Sequence, residues 1–179
     1  LYNDFAVMYR VNSQSRALEE GCLRNSIPYK LIGGLRFYQR KEVRDLIAYL
    51  RVIMNPHDDI SLLRIINTPP RGIGQKTIDE IEVLSNKNKI SIYAAMELAT
   101  NAKFDGDSNT SSRSHRVISK FVDLVTNLIH DSDGLDPASI INLILELTGY
   151  RVYIEDQGDQ GTERMDNIEE LKVTANKFQ

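Results

Sequence analysis

Apolar side chains recur along most of this chain at spacings of three and four, the pattern of helices that bury one face. Across residues 40–54 the positions Val43, Leu46, Ile47, Leu50 and Ile53 or Met54 keep that spacing, while Arg40, Lys41, Arg44 and Arg51 take other faces. A basic amphipathic helix is expected there. Further helices are expected at about 59–67, 75–86 and 91–101, the last capped by Ser91. Val117, Phe121, Leu124, Val125, Leu128 and Ile129 define the next one. Asp136 followed by Pro137 reads as an N-cap and a first-turn proline, opening a helix through Leu147 that Gly149 ends. A short helix over 150–155, a loop over 156–162 and a last helix over 163–177, with Ile168 and Leu171 inward, complete the pattern.

Only the amino-terminal segment departs from it. Residues 5–9 form a short apolar run typical of a buried strand, and residues 29–32 alternate like a second strand before Gly33 and Gly34. Between them Ser13 can cap a helix whose apolar face is Ala17, Leu18, Cys22 and Leu23, stopped by Asn25 and Pro28. The expected fold is therefore mainly α, a helical bundle with a small β-α-β piece at its start. Residues 104–112 are polar and glycine-containing, and read as a flexible loop.

A chain of 179 residues with 41% hydrophobic content can bury a real core. Its longest apolar runs, such as 140–147, are interrupted by Asn142 and Glu146 and fall far short of the roughly 20 residues a bilayer crossing needs. The opening Leu1-Tyr2-Asn3-Asp4-Phe5 has neither an initiator methionine nor the marks of a signal peptide, so a piece of something longer is expected. Cys22 is the one cysteine, which fits a reducing cytoplasm. The net charge of −3 averages two unlike halves. Residues 1–76 hold 12 basic and 7 acidic side chains, net +5, and residues 77–179 hold 10 and 18, net −8. The basic half suggests a surface facing a polyanion.

The most informative stretch lies in that half. Pro69-Pro70-Arg71-Gly72-Ile73-Gly74-Gln75-Lys76-Thr77, flanked by Leu62, Leu63, Ile65 and Ile66 before and Ile78 and Ile81 after, reads as two helices joined by a tight hairpin. Gly72 and Gly74 can both take positive φ, letting the chain reverse while amides at the start of the second helix point outward. Such a corner suits a phosphate, through the helix dipole and the charges of Arg71 and Lys76. The pattern resembles a helix-hairpin-helix motif, which holds the nucleic-acid backbone without reading bases.

Catalytic chemistry is not expected of these residues. No Gly-x-x-x-x-Gly-Lys-Ser/Thr phosphate loop occurs, and His57, His115 and His130 are scattered. The paired acids Asp58/Asp59 and Asp156/Asp159 have no convergent His or Cys, so no metal site is expected.

Three blocks in order carry a family resemblance. Residues 6–16 (Ala-Val-Met-Tyr-Arg-Val-Asn-Ser-Gln-Ser-Arg), residues 27–51 with Gly-Gly-Leu-Arg-Phe-Tyr-Gln-Arg-Lys-Glu-Val-Arg-Asp at their centre, and residues 61–74 ending in Arg-Gly-Ile-Gly resemble the UvrD/Rep/PcrA group of superfamily 1 DNA helicases. Residues 163–171 match the same group weakly. The resemblance implies a fragment of the second RecA-like motor domain (2A) at 1–34, a helical 2B subdomain at 35–162 and a helix near the return to 2A at 163–179. It implies that Arg10 and Asn12, with Gln14 and Arg16, touch single-stranded DNA. It implies that Gly72, Ile73, Gly74, Lys76 and Thr77, with Arg71, hold duplex DNA, and that Arg36, Arg40, Lys41 and Arg44 extend that surface. The full-length protein would use ATP and Mg to drive 3′-to-5′ unwinding in replication or repair. This piece would lack the ATPase motifs and be inactive alone. Its expected partners are a duplex–single-strand junction, the remaining motor domains and repair or replication proteins. The alternative is a helical protein-interaction or autoregulatory domain without direct DNA contact.

Overall fold

The computed structural model describes residues 1–11, 14–32, 36–101 and 112–176, and these are mainly helical. The helices run α1 Ser15–Arg24, α2 Lys41–Met54, α3 Asp59–Ile65, α4 Gln75–Asn88, α5 Ile92–Asn101, α6 Ser112–Asp131, α7 Pro137–Leu147, α8 Tyr150–Glu155 and α9 Asp159–Ala175. Two compact units emerge, one of residues 1–44 with 152–179 and one of residues 45–151.

The second unit follows the periodicity closely. α5 packs on α3, α4 and α6, and α6 packs on α7. Leu62, Ile65, Ile81, Met96, Phe121, Val125, Ile141 and Ile144 are all buried there. The caps form as expected: Asp136 accepts from the amides of Ala138 and Ser139 at 3.0 Å each, ahead of Pro137 at the start of α7. Ser91 Oγ accepts from Ala94 N at 3.2 Å. Asp58 caps α3: its side chain accepts from Ser61 N at 3.1 Å and from Ser61 Oγ at 2.6 Å.

The first unit corrects several expectations. Among the described residues no strand forms, so the β-α-β opening is not seen; residues 5–9 are extended or irregular, and Phe5, Val7 and Met8 are 79%, 69% and 94% exposed. Strand backbone must pair with a neighbouring strand, and two short strands make no stable sheet alone. Helix α1 is inverted relative to its pattern: Ser15, Arg16 and Glu19 are buried, whereas Leu18 and Leu23 are exposed. Ser13, its expected cap, and Gly33 and Gly34 lie outside the described residues, as does most of the expected loop over 104–112. The last helix starts at Asp159 rather than 163. Gly161 makes this possible, because a Cβ there would stand 2.3 Å from the carbonyl oxygen of Ile154 on α8.

Candidate nucleic-acid interface

The hairpin between α3 and α4 is anchored by Ile73, which is 3% exposed, while Gly72, Gly74, Gln75 and Lys76 around it are exposed. One apolar side chain thus holds the corner down and leaves its backbone outside. Asn67 staples it: its Oδ1 accepts from Arg71 N at 3.3 Å and Ile73 N at 3.2 Å, and its Nδ2 donates to Ile73 O. No reading of the sequence assigned Asn67 a duty. The available signal was an amide side chain just after an apolar helix and before a glycine turn, a setting where such side chains bond nearby backbone.

Gly72 alone needs glycine's freedom, with φ +74°, since Gly74 has φ −74° and ψ 160°, ordinary extended backbone. Gly74 instead serves as the N-cap of α4, and it contributes no side-chain acceptor. Its carbonyl receives Thr77 N at 3.0 Å and Ile78 N at 3.2 Å. Helix geometry leaves the amides of Gln75 and Lys76 without an intrahelical acceptor, on the exposed side of the corner. The Lys76 side chain is 88% exposed, with Nζ 4.0 Å from Glu80 Oε1, a loose surface contact. Gln75 is tied to Asp79 at 2.8 Å.

Arg71 turns inward. Its guanidinium donates to the carbonyl oxygens of Ile65 at 2.7 Å and Ile66 at 3.2 Å and to Tyr49 Oη at 2.6 Å, and it lies 5.5 Å from the Phe121 ring centre. Tyr49 Oη in turn donates to Thr68 O. Burial pushes the Tyr49 phenol upward, against the opposing pull of Arg71, so it stays a neutral donor. Arg71 therefore braces the hairpin, satisfying carbonyls at the end of α3. Thr77 is also buried, 3.2 Å from Ser114 Oγ on α6.

The remaining expected contacts belong to the first unit. Arg16 is 3% exposed and paired with Glu20 at 2.5 Å and with Glu170. Burial there disfavours its charge, but hydrogen bonds and charges from Glu170 and Glu20 outweigh that and raise its pKa. Arg40, 7% exposed, donates to Asn167 Oδ1 at 2.6 Å and Ser15 Oγ at 2.7 Å, and Asn167 donates to Glu42 Oε1 at 2.6 Å. Both guanidinia lie near the buried Phe37 ring, at 6.0 and 5.4 Å from its centre. These are scaffold contacts. Arg10, Arg36, Lys41 and Arg44 are exposed; Arg36 stacks over Tyr29 at 5.7 Å and Lys41 reaches Tyr153 Oη at 3.1 Å. Gln14 Oε1 accepts from the amides of Arg10 and Val11, at 3.1 and 3.4 Å. Asn12 lies outside the described residues.

An open cleft of about 340 Å³ in the first unit is lined by Arg40, Lys41, Glu42, Gln160, Glu163, Arg164 and Asn167. Three cations face two acids there, so its field is largely self-compensated. Among the described residues no group of three or more His, Cys, Asp or Glu could hold a metal, and no helix is long and apolar enough to cross a membrane.

A family model described as the UvrD-like helicase C-terminal domain matches residues 1–177. The chain is 39% identical over 179 residues to an ATP-dependent DNA helicase PcrA of Staphylococcus epidermidis, covering 99% of this chain and 24% of that protein. It is 42% identical over 178 residues to an ATP-dependent DNA helicase UvrD1 of Mycobacterium tuberculosis, covering 99% and 23%. With a DNA helicase II of Haemophilus influenzae the identity is 36% over 177 residues, covering 98% and 24%. The chain spans about a quarter of the length of these curated relatives.

Proposed function

This chain belongs to the UvrD-like helicase C-terminal domain family, and from that premise we propose that it is the duplex-gripping accessory part of an ATP-dependent 3′-to-5′ DNA helicase. The observation that carries the reading is the corner at Gly74, Gln75 and Lys76: exposed amides at a helix start, beside an exposed ammonium, on a hairpin fastened by Ile73, Asn67 and Arg71. Donors of that kind hold phosphate oxygens on any sequence. Lys76 and the amides make the contact, and Gly72, Ile73, Arg71 and Thr77 hold its shape.

In this reading residues 1–34 belong to the second motor domain, 35–162 to the 2B subdomain and 163–179 to the return toward the motor. The exposed apolar side chains Phe5, Val7, Met8, Leu18 and Leu23 support it, because they offer a face that the rest of a motor domain would cover. We assign Arg10, Asn12 and Gln14 to contacts with the single strand, and exposed Arg36, Lys41 and Arg44 add positive charge. ATP and Mg act elsewhere in the full-length protein: this chain carries no phosphate-loop run, and we assign none of its residues to the nucleotide. The working compartment is the cytoplasm, and the processes served are replication or repair.

The test is binding of the full chain to a duplex bearing a 3′ single-stranded tail. The expected result is affinity that is equal across unrelated sequences and falls steeply as salt rises. Insensitivity to salt would sink the proposal. Charge reversal of Lys76 that spares DNA binding but abolishes binding to the motor would favour the protein-interaction reading.

A further inference from the structure

The hairpin does not exhaust the cationic surface of the second unit. Residues 112–120 contain Arg113, Arg116 and Lys120 and no acid, within a half of the chain that carries 10 basic against 18 acidic side chains. At spacings of three and four the three cations share one face of α6, and all three are exposed. The other face sends Ile118, Phe121, Val122 and Val125 into the core, so core packing fixes which way the cations point. Positions three and four beyond Arg113 and Arg116 are Arg116, Val117, Ser119 and Lys120. Like charges at that spacing cost helix stability rather than adding to it. Asp123, exposed and three positions beyond Lys120, is the one acid within four positions of these cations, so the row keeps a net positive charge that the helix does not need and that favours an external polyanion.

One contact locates this row. Thr77 Oγ1 and Ser114 Oγ stand 3.2 Å apart, so the first turn of α6 lies against the first turn of α4, whose Lys76 is exposed. Resting on the reading of the hairpin as a duplex grip, we infer that Arg113, Arg116 and Lys120 form a second row of phosphate contacts for the same DNA duplex. Seven residues of helix rise about 10 Å, which matches about three base-pair steps at 3.4 Å each along one strand. Arginine's forked donors and lysine's mobile ammonium suit phosphate oxygens and carry no base preference. The row lengthens the footprint beyond what one helix corner can hold.

The experiment is the triple variant Arg113→Gln, Arg116→Gln, Lys120→Gln in the full chain, with anisotropy measured on the tailed duplex across a salt series. Glutamine keeps helix propensity, so thermal melting stays as in the unaltered chain. The expected outcome is a loss of affinity of about tenfold or more at low salt and a salt slope shallower by about 2 to 3. A companion variant, Arg113→Lys with Arg116→Lys, keeps the slope. An unchanged slope overturns the inference. Lys76→Ala separates the two readings. If it weakens binding while the triple variant does not, the α6 row falls and the hairpin stands; if the triple variant alone weakens binding and Gly74→Asp, which occupies the helix-start amides, is silent as well, the hairpin reading falls and the α6 cations stand as a duplex contact of their own. If the unaltered chain binds no duplex, both fall.

Discussion

Arg40 and Lys76 look alike in the sequence, each a cation beside the start of an amphipathic helix, and the two compact units use them in opposite ways. In the first unit Arg40 is sunk against Ser15 and Asn167, and Arg16 against Glu20 and Glu170. In the second, Lys76 stands 88% exposed on a corner whose arginine, Arg71, is spent on its own carbonyls. Charge count sees none of this. Burial and hydrogen-bond partners sort the cations into those that build the scaffold and those left exposed, and the exposed ones are placed to contribute salt-dependent affinity.

The largest effect should come from the buried side of that contrast. Arg40→Ala leaves Asn167 Oδ1 and Ser15 Oγ without their donor in a buried setting, a loss of about 2–4 kcal/mol in denaturant unfolding. A small loss, together with weakened DNA binding, would return Arg40 to the interface. Gly74→Asp tests the exposed side. Its φ of −74° and open surroundings accept a side chain, and an N-cap carboxylate satisfies the amides of α4. DNA affinity is expected to fall by about tenfold while stability stays level or rises by a few tenths of a kcal/mol. Intact binding in that variant would show that the amides are idle.

Gly72→Ala carries a positive-φ penalty of about 1 kcal/mol, seen as a lower melting temperature, where Gly74→Ser, a favoured N-cap on ordinary extended backbone, should cost little. Equal costs would contradict the different roles of the two glycines. Lys76→Ala should leave melting unchanged and flatten the salt slope by about 1, read by anisotropy. The mildest effect is acid fraying. Hydrogen bonds from the Ser61 hydroxyl and amide hold the Asp58 carboxyl below its ordinary range, and those from Ser139 do the same for Asp136. A lowered folded pKa means that the caps contribute fully above the unfolded value of about 3.9 and are lost as pH falls through the folded values. Helical ellipticity should therefore decline below about pH 3.9, and less so in Asp136→Asn. An identical acid profile in that variant would remove Asp136 from the account.

Much of the helix pattern was legible in advance. The spacing of Val43, Leu46, Ile47 and Leu50 led to α2, and Asp136 with Pro137 marked the start of α7 within a residue. That a turn lies between α3 and α4 was readable too, because Gly72 and Gly74 interrupt two stretches of helical apolar spacing. The inverted burial of α1 was not. Its apolar stripe pointed one way, while Arg16, Glu19 and Ser15 found partners on distant segments and took the inner face. Nor could spacing tell that Arg71 bends back onto Ile65 and Tyr49, or that the strand-like residues 5–9 would stay unpaired.

The order of residues alone settled where most helices lie, how several are capped, the position of the glycine hairpin and the family, since each depends on side chains within a few turns of one another. Three-dimensional packing settled which cations are buried, that Asn67 closes the corner, and that α6 begins beside α4. Those outcomes depend on pairs such as Arg16 with Glu170, Arg40 with Asn167 and Thr77 with Ser114. Residues so far apart in the chain meet only once the core has excluded water, and no local periodicity encodes that meeting.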